Sequence, residues 1–249
     1  MADNILVTRK LNKHFGGVKA ADNVDLGIAC GELHALIGPN GAGKTTLISL
    51  ITGILKCDSG EIAFDGKRID DVSAPSRSLM GLARSFQVTS ILKDFTCQEN
   101  VALAIQAHHG HSFRFWKPVS SEADIQDKAV EVLQSVGLRG HSDTIAGNLA
   151  YGEQRHLEIA IALATKPKLL VLDEPLAGMG RSDSATILEF LKSLKHKYTI
   201  LLIEHDMDAV FALADRISVM VYGKLIKSDS PDNVRNDEFV RMAYLGHDD

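Results

Sequence analysis

The segment Gly38-Pro-Asn-Gly-Ala-Gly43-Lys44-Thr45 constrains this chain more than any other. The apolar run Leu33 to Ile37 leads into it, and a helically spaced run, Thr45 to Ile54, leaves it and closes at Gly53. A buried strand, a glycine-rich turn and a helix, in that order, form a cradle for phosphate. The glycines let successive backbone N–H groups turn inward, and the helix N-terminus adds the positive end of its dipole. Lys44 brings a charge to the β- and γ-phosphates, and the Thr45 hydroxyl reaches Mg²⁺. The plainer alternative is a strand-to-helix turn that matches by chance; correct flanks on both sides argue against it. The segment predicts an α/β protein that binds a nucleotide.

The rest of the chain agrees with that class. Ile5 to Val7 and Val24 to Ile28 read as short strands, and Glu61 to Phe64 as a strand ending in the Asp65-Gly66 turn. From about Val88 to Thr165 the pattern turns helical, with 3.6-period stripes at Cys97 to His108 and Asp124 to Val136, the second stopping at Gly137. HHGHSFRFWKPVSSEA lies between them and reads as a loop. Strands resume at Leu169 to Leu172, Thr199 to Ile203 and Ile217 to Val221, separated by helical patterns at Ser182 to Lys195 and Met207 to Ala214. Ser230-Pro231 looks like a helix start with proline near its first position. Such alternation predicts a mostly parallel sheet with helices on its faces, interrupted by a helical insert.

Composition sets the outer limits. With 249 residues, 45% apolar and 24% charged, the chain can bury a sizeable core. A net charge of −5 gives no general attraction to phosphate backbones, so nucleic acid is not an expected partner. Cys30, Cys57 and Cys97 lack metal-ligand spacing and read as reduced thiols. The opening MADNILVTRK does not have signal-peptide architecture, and the longest apolar run, Ile159 to Ala164, is far below the ~20 residues of a membrane span. If the protein works at a membrane, something else must hold it there.

A phosphate cradle of this type needs a second carboxylate-bearing strand end. Leu169-Leu-Val-Leu-Asp173-Glu174-Pro175 provides four apolar residues and then two acids. Asp173 is expected to join the Mg²⁺ shell and Glu174 to act as general base on the attacking water; two solvated surface acids are the alternative. His205, in LLIEHD at the end of another apolar strand, is expected to donate to the γ-phosphate, against the plainer reading of a structural histidine. Gln87, after Arg84-Ser-Phe, can reach Mg²⁺ or the water through its amide. His108, His109 and His111 have no nearby carboxylate or cysteine and read as a solvated loop rather than a metal site. Phe113, Phe115 and Trp116 either tuck against the insert or touch another subunit.

Together these residues resemble the ATPase subunit of an ABC transporter, over essentially the whole chain. GPNGAGKTT resembles the family's Walker A, LLVLDEP its Walker B, Gln87 its Q-loop glutamine, LAYGEQ its LSGGQ signature and His205 its switch histidine. The resemblance implies a P-loop NTPase core with a mostly parallel sheet, a small antiparallel β subdomain and an inserted helical subdomain. It implies one domain over 1–249, with the core at 1–88 and 166–249 and the helical part at about 89–165. It implies ATP and Mg²⁺ as ligands, with Asn40, Gly41, Ala42, Gly43, Lys44, Thr45 and Thr46 around the phosphates and Thr45, Gln87 and Asp173 around the metal. Phe15 would stack on adenine with Val18 beside it, where composition alone favours a core phenylalanine. Leu149, Ala150, Tyr151, Gly152 and Glu153, heading a helix from about Glu153, would contact the other subunit's ATP.

More narrowly, LAYGEQRHLEIA, EPLAGMG, EHDM and the C-terminal AYLG resemble ATPases of branched-chain amino-acid importers and relatives such as urea importers. Exporter ATPases of the lipopolysaccharide type and soluble non-transport ABC ATPases are the alternatives. Expected partners are membrane permease subunits, contacted through Val88 to Phe95, a second ABC ATPase and, indirectly, an extracytoplasmic solute-binding protein, at the cytoplasmic face of the membrane. Two residues depart from the family pattern. Ala150 removes the signature hydroxyl, and Gly180 stands where the D-loop usually ends in aspartate, which predicts two chemically unequal composite sites.

Overall fold

The structure is a computed structural model that describes residues 4–85, 91–108 and 123–242, with only the backbone at 181 and 182. Three five-residue strands set its centre: β3 (Leu33–Ile37), β7 (Leu169–Asp173) and β8 (Thr199–Ile203), buried at every position. Strands covered on both faces read as unbroken apolar runs, which is why these were legible in sequence. The chain numbers their neighbours β1 (Asn4–Phe15), β2 (Val18–Ala29), β4 (Ser59–Phe64), β5 (Lys67–Arg68), β6 (Leu82–Arg84), β9 (Arg216–Val221) and β10 (Lys224–Asp229). The six-stranded sheet runs β10-β9-β3-β8-β7-β6, parallel except for β10 on β9.

Alternation along the strands divides the core. Leu33, Ala35, Ile37, Leu170, Leu172, Ile200 and Leu202 face one cluster. It is completed by α3 (Cys97–His108), α4 (Ala123–Ser135), α5 (Tyr151–Ala164) and α6 (Arg181–Leu194). Leu36, Leu169, Val171, Leu201 and Ile203 face the other, shared with α1 (Lys44–Ile51) and the first strands. Among the described residues, no helix is long and apolar enough to cross a membrane.

β1 and β2 extend well past the short strands expected, into a hairpin of two 12-residue strands that with β4 and β5 makes a second, antiparallel sheet. Part of it faces solvent, so polar residues interrupt the apolar pattern, and register shifts around Lys10, itself at φ 44°, break the alternation. The α2 helix (Ala74–Leu79) was also missed, and it shortens α1 at its C-terminus. The buried Arg77 guanidinium donates to Leu50 O and Ile51 O, both at 2.7 Å, ending α1 at Ile51 rather than near Ile54. β6 has no counterpart in the sequence pattern, because three residues are too few to show a period.

Candidate functional site

Parallel order brings the tips of β3, β7 and β8 to one edge of the sheet. Leu36 lies opposite Ile203, and Ile203 opposite Asp173, so the loops after all three strands leave side by side. Crevices at such carboxyl ends are where open α/β sheets place ligands.

The first loop is the glycine-rich turn. Gly43, at φ 104°, caps α1, and a Cβ there would stand 2.1 Å from Ala20 O; at Gly38 it would stand 2.0 Å from Met220 O. Only glycine fits either place. Asn40 and Gly41 are exposed, Ala42 is buried and Thr45 opens to solvent, with Thr46 half-covered. Lys44 is buried, and its Nζ donates to Gly38 O at 2.6 Å and Pro39 O at 3.1 Å. Burial lowers its pKa, while the charges of Glu174 and Asp173 work to raise it.

The second loop carries those acids. Asp173 is 3% exposed and accepts from Arg84 Nη2 of neighbouring β6 at 2.8 Å. Glu174 has left-handed backbone, φ 52°, which a non-glycine residue adopts only when its surroundings impose it. The third loop carries His205, whose Nε2 lies 2.7 Å from Glu174 Oε1. A carboxylate only accepts, so the bond fixes Nε2 as the protonated nitrogen. The histidine expected to reach a phosphate thus holds the acid expected to be the base. Both line an open cavity of about 450 Å³ with Leu176, Met179, Glu204 and Asp206.

Glu204, in LLIEHD, has no role that the sequence pattern predicts. It is 3% exposed, and its carboxylate accepts from Leu176 N at 2.8 Å and His205 N at 3.1 Å, joining the loop after β7 to the loop after β8. Burial raises its pKa, opposed by those backbone N–H groups and that of Asp206, with a smaller raising contribution from Glu174. An isolated acid at the end of an apolar run carries no pattern that would single it out. Arg84 was likewise invisible, because its partner is a strand away in space and 89 residues away in sequence.

Phe15 and Val18 face each other where the β1–β2 hairpin closes, 49% and 65% exposed. That corrects the core reading of Phe15, whose ring packs no interior and lies 5.6 Å from Lys13 Nζ. Leu149 is buried, and Ala150 is the N-cap of α5, which begins at Tyr151, two residues before the expected Glu153. Glu153 takes the third helical position and accepts from Ala150 N at 2.9 Å, half of a capping box whose other half needs the missing hydroxyl. A Cβ at Gly152 would make only ordinary contact with Asp183, 3.5 Å away, so nothing in this chain demands a glycine there. Gly180 is the N-cap of α6.

Gln87 and the Val88 to Ser90 part of the Val88 to Phe95 contact surface lie outside the described residues, as do His109, His111, Phe113, Phe115 and Trp116. Leu92 and Phe95 are described and exposed.

A family model described as ABC transporter matches residues 21–177. The high-affinity branched-chain amino acid transport ATP-binding protein LivG of Escherichia coli K12 is 37% identical over 253 residues, covering 99% of each chain. The protein of the same description named BraF, from Pseudomonas aeruginosa, is 35% identical over 253 residues, again covering 99% of each. Among solved structures, the ADP conformation of an ATP-binding cassette of an ABC transporter matches with a TM-score of 0.87 at 34% identity, over 99% of this chain and 100% of that one.

Proposed function

The chain belongs to the ABC transporter family as an ATP-binding, ATP-hydrolysing subunit, and we propose that it powers the import of branched-chain amino acids or related small amino acids and amides. The observation that supports the site most strongly is the 2.7 Å Glu174–His205 contact at the sheet edge that also carries the glycine-rich turn.

In this reading the backbone N–H groups of Asn40 to Thr46 and the Lys44 ammonium bind the phosphates. Lys44 exchanges its bonds to the Gly38 and Pro39 carbonyls for charged oxygens. Phe15 and Val18 present an exposed apolar platform to the base. Glu174 accepts the proton of the attacking water, and His205 holds that carboxylate in place. The donor set suits Mg²⁺: the Thr45 hydroxyl, the Asp173 carboxylate and, by family resemblance, the Gln87 amide are hard oxygens too few for a protein-only cage. Among the described residues, no group of three or more histidine, cysteine or acidic side chains is arranged to hold a metal, and a phosphate-shared ion needs none. Bound there, Mg²⁺ would neutralise charge developing on the phosphate oxygens.

The nucleotide-binding core, 1–88 and 166–249, and the helical insert, at about 89–165, act as one ATPase unit. Leu149 to Glu153 contact the nucleotide of a second ABC ATPase, and Leu92 and Phe95 lie on the face offered to a membrane permease, at the cytoplasmic side of the membrane. A solute-binding protein outside the membrane delivers the cargo. Purifying the tagged chain from its native membrane tests this: a hydrophobic permease, a second ATPase and an amino-acid-binding protein should accompany it. Recovery of the chain alone, or with ribosomes, would sink the transport reading. Glu174→Gln should bind ATP and nearly abolish turnover.

A further inference from the structure

Tyr151, at the first position of α5, belongs to the segment assigned above to the other subunit's nucleotide, yet its hydroxyl is engaged within this chain. Its Oη donates to Ala177 O at 3.2 Å, 26 residues further on, and accepts from Arg155 Nη2 at 2.9 Å. The Arg155 guanidinium lies 5.3 Å from the tyrosine ring centroid and is itself fixed by a buried ion pair, Nη1 to Glu158 Oε2 at 2.7 Å. Tyr151, Arg155 and Glu158 recur at helical spacing on one face of α5, so each turn secures the next. Gly178, two residues from Gly180, lies so close that a Cβ on it would come within 3.4 Å of Tyr151 Oη.

Ala177 is in the loop that leaves Glu174, and its own N–H donates back to Glu174 O at 3.1 Å. The preceding N–H, of Leu176, is held by Glu204, whose second oxygen holds the N–H of His205, the partner of Glu174. An unbroken series of hydrogen bonds and adjacent peptide units therefore runs from Tyr151 to the Glu174–His205 pair. Both ends of the series are anchored in buried groups, Arg155 with Glu158 on one side and Glu204 on the other.

We propose that Tyr151 is a positioning residue for ATP hydrolysis: its hydroxyl fastens the loop after Glu174 to the helix end that faces the other subunit's nucleotide. The inference rests on the reading of Glu174 as base and of Leu149 to Glu153 as the trans contact. It gives the tyrosine a task that the glycine usual in LSGGQ cannot perform. Seating α5 against the second nucleotide also seats the Glu174–His205 pair of this chain, so the two sites communicate through one side chain.

Tyr151→Phe removes the hydroxyl, with its bonds to Ala177 O and Arg155 Nη2, and leaves the ring against the Arg155 guanidinium. ATP hydrolysis is measured on the complex that co-purifies with the full-length chain, beside Glu174→Gln. Tyr151→Phe should lower kcat threefold to tenfold, with KM and the Kd for ATP within twofold of wild type and the thermal midpoint within about 3 °C. A wild-type kcat overturns the proposal, and so does a kcat loss matched by an equal loss of ATP affinity, which would mark a merely structural residue. Glu174→Gln separates the two levels. If it binds ATP without turnover while Tyr151→Phe is unaffected, only the role of Tyr151 fails; if it hydrolyses ATP normally, the base reading fails and takes the proposal with it.

Discussion

Replacing Glu204 by glutamine should separate stability from activity in this protein. The Glu204 carboxylate is buried with no cation beside it among the groups that set its pKa; backbone N–H groups of Leu176, His205 and Asp206 are its support. Its pKa is raised, burial being the largest cause, so the folded state holds a proton here more tightly than the unfolded chain does. From the ordinary value of 4.5 up to the raised folded value, stability contributed by this group falls as pH climbs, and above both values the deficit is constant.

Glutamine mimics the neutral acid and removes that deficit, at about 1.4 kcal/mol for each unit by which the pKa is raised. It also presents an NH₂ where one of the two oxygens stood, leaving the N–H of Leu176 or of His205 without an acceptor, a loss of roughly 1–3 kcal/mol. At neutral pH these terms oppose each other, and the melting midpoint should move by no more than about 5 °C in either direction. Function has no such offset. The acceptor lost is the one that joins the two catalytic loops, so kcat should drop about tenfold, with ATP affinity unchanged. Thermal melts of Glu204→Gln and wild type from pH 4 to 8, with ATPase assays at pH 7.5, make the test. Wild type should gain stability relative to the variant as pH falls toward 4.5. A gain as pH rises, or a variant with wild-type kcat, would refute the reasoning.

Three further outcomes follow from the same geometry. Lys44→Ala should weaken ATP binding on the order of 100-fold in a fluorescent-nucleotide titration, since it removes a charged, pre-placed donor; affinity within threefold of wild type would exclude Lys44 from the phosphate site. Phe15→Ala, at an exposed hairpin end, should leave the melting midpoint within about 2 °C while raising the Kd for ATP roughly tenfold, and a melt that collapses instead would restore the core reading. Arg84→Met should lower the midpoint on the order of 10 °C by leaving the Asp173 carboxylate buried beside no guanidinium, and adding Asp173→Asn should recover much of that loss; no recovery would mean Arg84 acts through other contacts.

Legibility in the sequence tracked how local the cause was. β3, β8 and α3 have the expected bounds because each is set by its own pattern: strands covered on both faces, or a helix with a 3.6-residue stripe. Asp173, Glu174 and His205 could be named because they follow apolar runs, and Lys44 because it closes the glycine-rich turn. The partners that hold them could not. Arg84 reaches Asp173 from an adjacent strand, Glu204 spans two loops, and Arg77 closes α1 from a helix with too few residues to show a period. β1 and β2 were cut short because bulges and a solvent-facing side erase alternation, although the two strands stay partners from Asn4 opposite Ala29 to Phe15 opposite Val18.

The side chains at the sheet edge share one physical arrangement: each is held by a second group of this chain that nucleotide chemistry can replace. Lys44 donates to backbone carbonyls of its own turn, which phosphate oxygens outcompete because they are charged. Asp173 is paired with Arg84, whose guanidinium offsets the charge of a carboxylate nearly closed off from water, where an unpaired charge would be too costly to keep. Glu174, strained at φ 52°, is pinned by His205. These holdings keep three otherwise mobile, charged side chains in place before substrate arrives, so the ordering is largely complete in advance of catalysis. The loop after Glu174 differs, because its anchors are Glu204 on one side and Tyr151 on the other, and neither belongs to the phosphate cradle. Its position follows the helix α5 rather than the bound nucleotide. A chain built this way can bind ATP with its own turn yet leave the geometry of hydrolysis to whatever presses on the start of α5.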